Sequence, residues 1–161
     1  MTVPAVFTTL GAKLLTVNPT PATALTRMLT NLSNRFGPGD CPVGLIRFAA
    51  DTDNEVSSET LGQPGLVRHK YSLRVLIFLG VLTGPDMLDQ DHELAKPWPQ
   101  ALAVTLAADM TLGNTVAFIG DDVTLKLFTY RIGVMPWLGD VNYFGLTVTL
   151  PVTEKISTNV G

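Results

Sequence analysis

The run Val67–Leu82 constrains the fold more than any other segment. His69, Tyr71, Leu73, Val75, Ile77 and Leu79 share one face, and Arg68, Lys70, Ser72 and Arg74 share the other. That period of two is the pattern of a half-buried β-strand. Its far end turns apolar on the second face as well, through Leu76 and Phe78, so the strand is expected to pass beneath covering elements there. Thr83-Gly-Pro-Asp86 then breaks it. A long central strand of this kind needs a sheet around it and helices to cover its apolar face.

The flanking segments supply both. Residues 1–20 read as an N-terminal arm of small and β-branched residues. Pro21 suits the first position of a helix capped by Thr20, with Ala24, Leu25, Met28, Leu29 and Leu32 on one face and Gly37-Pro38-Gly39-Asp40 as its stop. Val43–Ala50 reads as a short strand. Residues 51–66 are polar, contain Gly62, Pro64 and Gly65, and show neither period, so a long loop is expected; loops of that length are functional or disordered. The acidic stretch Met87–Lys96 reads as helical or irregular.

A second helix starts at Pro97, with Trp98, Ala101, Leu102, Thr105 and Leu106 on one face. Gly113 beyond it suits a left-handed position. Thr115–Ile119, Thr124–Val134 and Val141–Val152 read as three strands joined by turns. Thr153–Gly161 is expected to be a loosely held tail. Together these give one α+β domain over residues 1–161. Its expected architecture is a two-layer sandwich, with about five strands in a mixed, mostly antiparallel sheet packed by two main helices.

Charged residues make up 16% of the chain, against roughly 25% in an average soluble domain. A surface so poor in charge exposes apolar or neutral area, which partners tend to cover. The net charge of −3 gives no sign of nucleic-acid affinity, which needs clustered Lys and Arg. The single cysteine, Cys41, excludes an intrachain disulfide framework and reads as a packing residue. The first residues lack the basic and long apolar regions of a secretion signal. Tyr71–Leu82, the most apolar stretch, falls well short of the ~20 residues a membrane-crossing helix needs.

Chemistry is hard to find along the chain. Asp86, Asp89, Asp91, His92 and Glu93 have the ligand types for a divalent cation, but they lack the spacing of a calcium loop, and acidic residues ahead of a helix are favoured by its dipole anyway. Asp121 and Asp122 follow Gly120 between two strands and read as turn residues. His69 reads as a hydrogen-bonded core histidine. No nucleophile elbow, phosphate-binding loop or paired CxxC motif occurs. The sequence therefore predicts no catalytic, metal or cofactor-binding residue. The alternation leaves Arg68, Lys70 and Arg74 as a basic stripe, either solvated or in contact with an acidic neighbouring subunit. Trp98, Trp137 and Tyr143 are split between core and interface.

The order of segments resembles the tail terminator, or tail completion, proteins of long-tailed bacteriophages. A polar loop leads into Tyr71-Ser-Leu-Arg-Val-Leu-Ile-Phe-Leu. Pro97-Trp-Pro-Gln-Ala-Leu-Ala follows, with its Ala-Asp-Met-Thr-Leu-Gly-Asn-Thr-Val116 exit, then Tyr130-Arg-Ile-Gly and Tyr143-Phe-Gly-Leu-Thr-Val-Thr-Leu-Pro-Val. The likeness runs from Leu25 onward and is strongest over Val67–Val152.

The resemblance implies a virion protein, assembled in the host cytoplasm. Its subunits would form a ring, usually a hexamer, that caps the tail tube, stops its growth and meets a head-completion or neck protein. Genomic DNA would pass through the lumen without specific binding, and no membrane or cofactor would be involved. The loop 51–66, the N-terminal arm and the C-terminal tail would be contact elements, and Asp51, Asp53, Glu55 and Glu59 would suit a lumen wall that repels DNA. Another neck component, a stopper or adaptor, shares much of this pattern. A small metal-dependent enzyme using the Asp89–Glu93 cluster is the alternative from a different class.

Overall fold

The computed structural model describes residues 3–29, 37–49, 57–60, 66–82, 93–135 and 142–157. Among these residues the longer helices are α1 (Val3–Leu14) and α2 (Pro97–Ala107), and the strands are β1 (Arg27–Leu29), β2 (Val43–Phe48), β3 (Ser57–Thr60), β4 (Leu66–Val81), β5 (Phe118–Ile119), β6 (Thr129–Met135) and β7 (Tyr143–Ser157). All seven strands form one sheet in the order β1-β2-β4-β7-β5, with β3 also on β4 and β6 also on β7. Only β1 and β2 run parallel; the other pairs are antiparallel. The α+β class and the mixed, mostly antiparallel sheet with two helices are those the sequence pattern predicts.

The axis of the molecule is the β4–β7 ladder, which runs from Leu66 opposite Ser157 to Val81 opposite Tyr143. Each is flanked twice on its outer edge: β4 by β2 and then β3, β7 by β6 and then β5. The register shifts between Phe78 and Gly80. Beside that bulge sits Gly145, opposite Phe78, and a Cβ there would lie 2.9 Å from the Ile77 carbonyl carbon and 3.2 Å from Phe78 Cα. Glycine is needed because the two central backbones approach too closely for a side chain.

Alternation sorts the side chains into two layers. Tyr71, Leu73, Val75, Ile77 and Leu79 of β4 and Phe144, Leu146, Val148, Leu150 and Val152 of β7 pack beneath the helices. From α1 come Val6, Leu10 and Leu14, and from α2 Trp98, Leu102 and Leu106. Both triplets repeat every four residues, which stacks them along one side of a helix. At ~25 cal/mol per Å2 of apolar area, each such leucine or valine contributes roughly 1.5–3 kcal/mol. Opposite the helices a smaller cluster joins Leu29, Val43, Leu45, Leu76, Phe78, Met135 and Tyr143.

Several expectations are corrected here. The N-terminal arm expected over residues 1–20 holds a helix instead: α1 spans Val3–Leu14, and Val6 and Leu10 are fully buried. The helix expected from Pro21 is absent over residues 21–29, where Arg27–Leu29 instead adds a strand to the sheet edge. The loop 51–66 contains β3, paired with β4 from Ser57 opposite Lys70 to Thr60 opposite Val67. The tail expected from residue 153 continues β7 to Ser157, and Thr153 and Glu154 are buried. The strand expected at Thr115 is only Phe118–Ile119.

Gly113 is left-handed, with φ +65°, as are its neighbours Leu112 and Asn114. This turn is tied by Asp109, which accepts from the Gly113 backbone at 3.0 Å and from Thr111 Oγ1 at 3.3 Å. Lys13 of α1 reaches the same carboxylate at 3.4 Å, so one side chain joins the ends of the two helices.

Candidate functional site

The basic stripe of β4 divides in three dimensions. Asp122, on the turn after β5, lies 3.2 Å from Lys70 Nζ and 3.7 Å from Arg68 Nη1. These two cations are therefore matched within the chain. All three groups are a quarter or more exposed, so solvent screening keeps the contribution of each pair to stability below about 1 kcal/mol. Arg74 lies elsewhere, directly opposite Arg47 of β2 in the antiparallel register. With Arg131 of β6 they line a pocket of about 360 Å3, together with Leu76, Met135 and Thr147. Arg47 and Arg131 carry no signal in the sequence, since only the register of separate strands brings them to Arg74.

The turn from Gly120 to Leu127 is held rigidly. Gly120, at φ +99°, donates to Pro151 O at 2.8 Å, and Asp121 N donates to Lys126 O at 2.8 Å. The Asp121 carboxylate accepts from Val123 N at 2.9 Å and from Thr124 Oγ1 at 2.8 Å. Those donors, the Val123 amide first, hold the Asp121 carboxyl below the usual carboxylate range. Asp121 and Asp122 thus do turn and ion-pair work, as expected of adjacent turn carboxylates.

The same turn presents two apolar side chains to solvent: Val123 is 80% exposed and Leu125 85%. Leu125 sits at φ +60°, a left-handed conformation that costs a non-glycine residue about 1 kcal/mol. The chain then enters β6, where Tyr130 and Val134 are 47% and 59% exposed. Among the described residues β6 pairs with β7 alone, so its outer edge carries backbone groups available to another strand.

Ser58 Oγ meets His69 Nδ1 at 2.7 Å, so His69 is hydrogen-bonded as expected, but it is only half-buried and lies outside the core clusters rather than within the core. Glu154 lies across from His69 in the ladder. Burial, and then the nearby Glu154 carboxylate, push the Tyr71 phenol well above its ordinary value. Burial also raises the Cys41 thiol, with Asp40 adding to the shift; an unreactive thiol fits its reading as a packing residue.

Asp51, Asp53 and Glu55 lie outside the described residues, while Glu59 is in β3, across from Arg68. Asp86, Asp89, Asp91 and His92 also lie outside them; Glu93 pairs with Lys96 one turn away. Trp98 is core, and so is Tyr143, whereas Trp137 is outside the described residues. No group of three or more His, Cys, Asp or Glu side chains capable of holding a metal occurs among the described residues. No helix among them is long and apolar enough to cross a membrane. Compared with known proteins, the chain matches no family model and no curated protein.

Proposed function

We propose that the chain is the subunit of a ring that caps a bacteriophage tail tube, a tail terminator. The observation that carries this reading is the turn at 120–127, pinned by the Asp121 hydrogen bonds, which leaves Val123 and Leu125 out in solvent. An apolar pair fixed by hydrogen bonds and mild backbone strain has already lost the entropy that docking would otherwise remove. Burying each of the two side chains against a neighbour would contribute roughly 1.5–3 kcal/mol. The low charge content of the chain supports the same reading, because a subunit packed between two neighbours hides much of its surface.

In this reading the partners are other copies of the chain, forming a hexamer, the tail tube protein on one side and a head-completion or neck protein on the other. The ring ends tube growth in the host cytoplasm and stays in the tail of the virion. DNA passes through the lumen unbound, past the acidic segment that includes Asp51, Asp53, Glu55 and Glu59.

The test is negative-stain microscopy of the purified chain, alone and with tail tubes of its own phage. Rings at tube ends, and tubes of uniform length, are expected. A ring that binds the portal side but not the tube would identify a stopper or adaptor instead. A chain that stays monomeric and leaves tubes uncapped would refute the proposal.

A further inference from the structure

Edge strands of soluble proteins are guarded by charge, proline, a bulge or a covering element, because their free N–H and C=O groups would otherwise pair with another strand. Among the described residues β6 has little of this protection. It pairs with β7 alone, in an unbroken register from Thr129 opposite Thr149 to Met135 opposite Tyr143. Its sequence, Thr-Tyr-Arg-Ile-Gly-Val-Met, holds no proline and a single charge, Arg131. Tyr130, Ile132 and Val134 lie opposite Val148, Leu146 and Phe144, so all three are on the helix side of the sheet. Ile132 packs against the core there, whereas Tyr130 and Val134 remain exposed.

We propose that this edge pairs with the same edge of a second copy of the chain, antiparallel about a two-fold axis at Ile132. Strands related by a two-fold axis normal to the sheet run antiparallel with the same faces in line, the isologous contact of a symmetric dimer. In this register β6 is complementary to itself. All seven residues find partners: Thr129 lies opposite Met135, Tyr130 opposite Val134, Arg131 opposite Gly133, and Ile132 opposite its own copy. The two exposed apolar side chains thus cover each other twice, as aromatic and β-branched pairs, a combination that stabilises sheets. Charge selects the same register. An axis at Arg131 would set two guanidiniums directly opposite, which is destabilising. With the axis at Ile132 each arginine instead faces a glycine whose Cβ position is open, with nothing within 4 Å. Other shifts leave residues at the end of each strand unpaired. Any strand could make the backbone bonds; the side-chain match is to this chain.

The pairing goes beyond the ring contact proposed above, which uses the turn at 120–127. A two-fold contact closes on two copies and does not by itself build a ring. The test uses the full chain carrying Leu125→Asn, so that ring assembly does not mask a dimer, and sedimentation velocity over a range of concentrations. A reversible dimer is expected. Tyr130→Lys and Val134→Asp, each at an exposed site, should weaken it about fivefold or more, and the two together should restore it, because each lysine then lies opposite an aspartate of the other copy. Within one chain the two positions are about 13 Å apart, so the rescue arises only between copies in this register. Circular dichroism melts check that every variant folds.

A monomer at every concentration, a dimer indifferent to the single substitutions, or a double variant that fails to restore it would overturn the proposal. So would a monomer whose β6 amides become protected from hydrogen exchange only when tail tubes are added, which would assign the edge to a strand of another protein.

Discussion

Replacing Gly145 by alanine should damage this fold more than its small size suggests. The added methyl would lie 2.9 Å from the Ile77 carbonyl carbon and 3.2 Å from Phe78 Cα, both backbone atoms of the neighbouring central strand, so no side chain can swing aside to make room. The strain of overpacking costs about 1–3 kcal/mol. If β4 and β7 separate to relieve it, a pair of flanking ladder hydrogen bonds weakens, at about 1 kcal/mol each.

A total of roughly 3–5 kcal/mol, at about 2–4 °C per kcal/mol for a domain of this size, lowers the melting temperature by roughly 10 °C. Thermal unfolding followed by circular dichroism measures it. Gly133→Ala is the matched control: Gly133 pairs with Gly145 from β6, and a Cβ there meets nothing within 4 Å. A Gly145→Ala protein that melts within about 2 °C of the parent would refute the argument from close backbone approach.

Other expectations follow from the same geometry. Leu125→Asn relieves a left-handed leucine and removes an exposed apolar group. Thermal stability should hold or rise by up to about 1 kcal/mol while ring assembly falls in light scattering; a loss of both would contradict the division between fold and contact. Gly11→Ala should stabilise α1 by about 0.5–1 kcal/mol, because the new methyl meets Met28 and Ile46 only at ordinary contact distances of 3.8–4.0 Å; a lower melting temperature would count against it. The Asp109 carboxyl is held below its ordinary value first by the Gly113 amide and then, against some desolvation, by Lys13 and Thr111. Its stabilisation is therefore complete above the unfolded carboxylate range near ~4 and lost as pH falls through the lower folded value. Asp109→Asn should accordingly lower the melting temperature at pH 6 but have no further effect at pH 2, as a pH series of melts would reveal.

The sequence made the central parts of this fold legible and the edges much less so. Alternation found β4 because its two faces meet different surroundings over many residues, and a proline-started four-residue spacing found α2. The same spacing in Val6, Leu10 and Leu14 was present in α1, but threonine and glycine between them lowered its helical character. Met28 and Leu29 misled in the opposite direction. Their spacing from Ala24 and Leu25 looks helical, yet Met28 packs under the helices and Leu29 in the cluster on the other face, as adjacent strand residues must. The arginine pocket was beyond reach for another reason: it exists only through cross-strand register, which no local pattern encodes.

The β4–β7 ladder also bears on how the protein is made. Its two partners, Leu66–Val81 and Tyr143–Ser157, are separated by α2 and two further strands, so the strand that completes the centre of the sheet leaves the ribosome long after its mate. Until then β4 exposes its apolar face and an unpaired edge, the condition in which nascent chains aggregate. The central pairing of β4 with β7 must therefore wait until α2, β5 and β6 have been made. Until β7 appears, β2, β3 and the helices are the described elements that can shield β4.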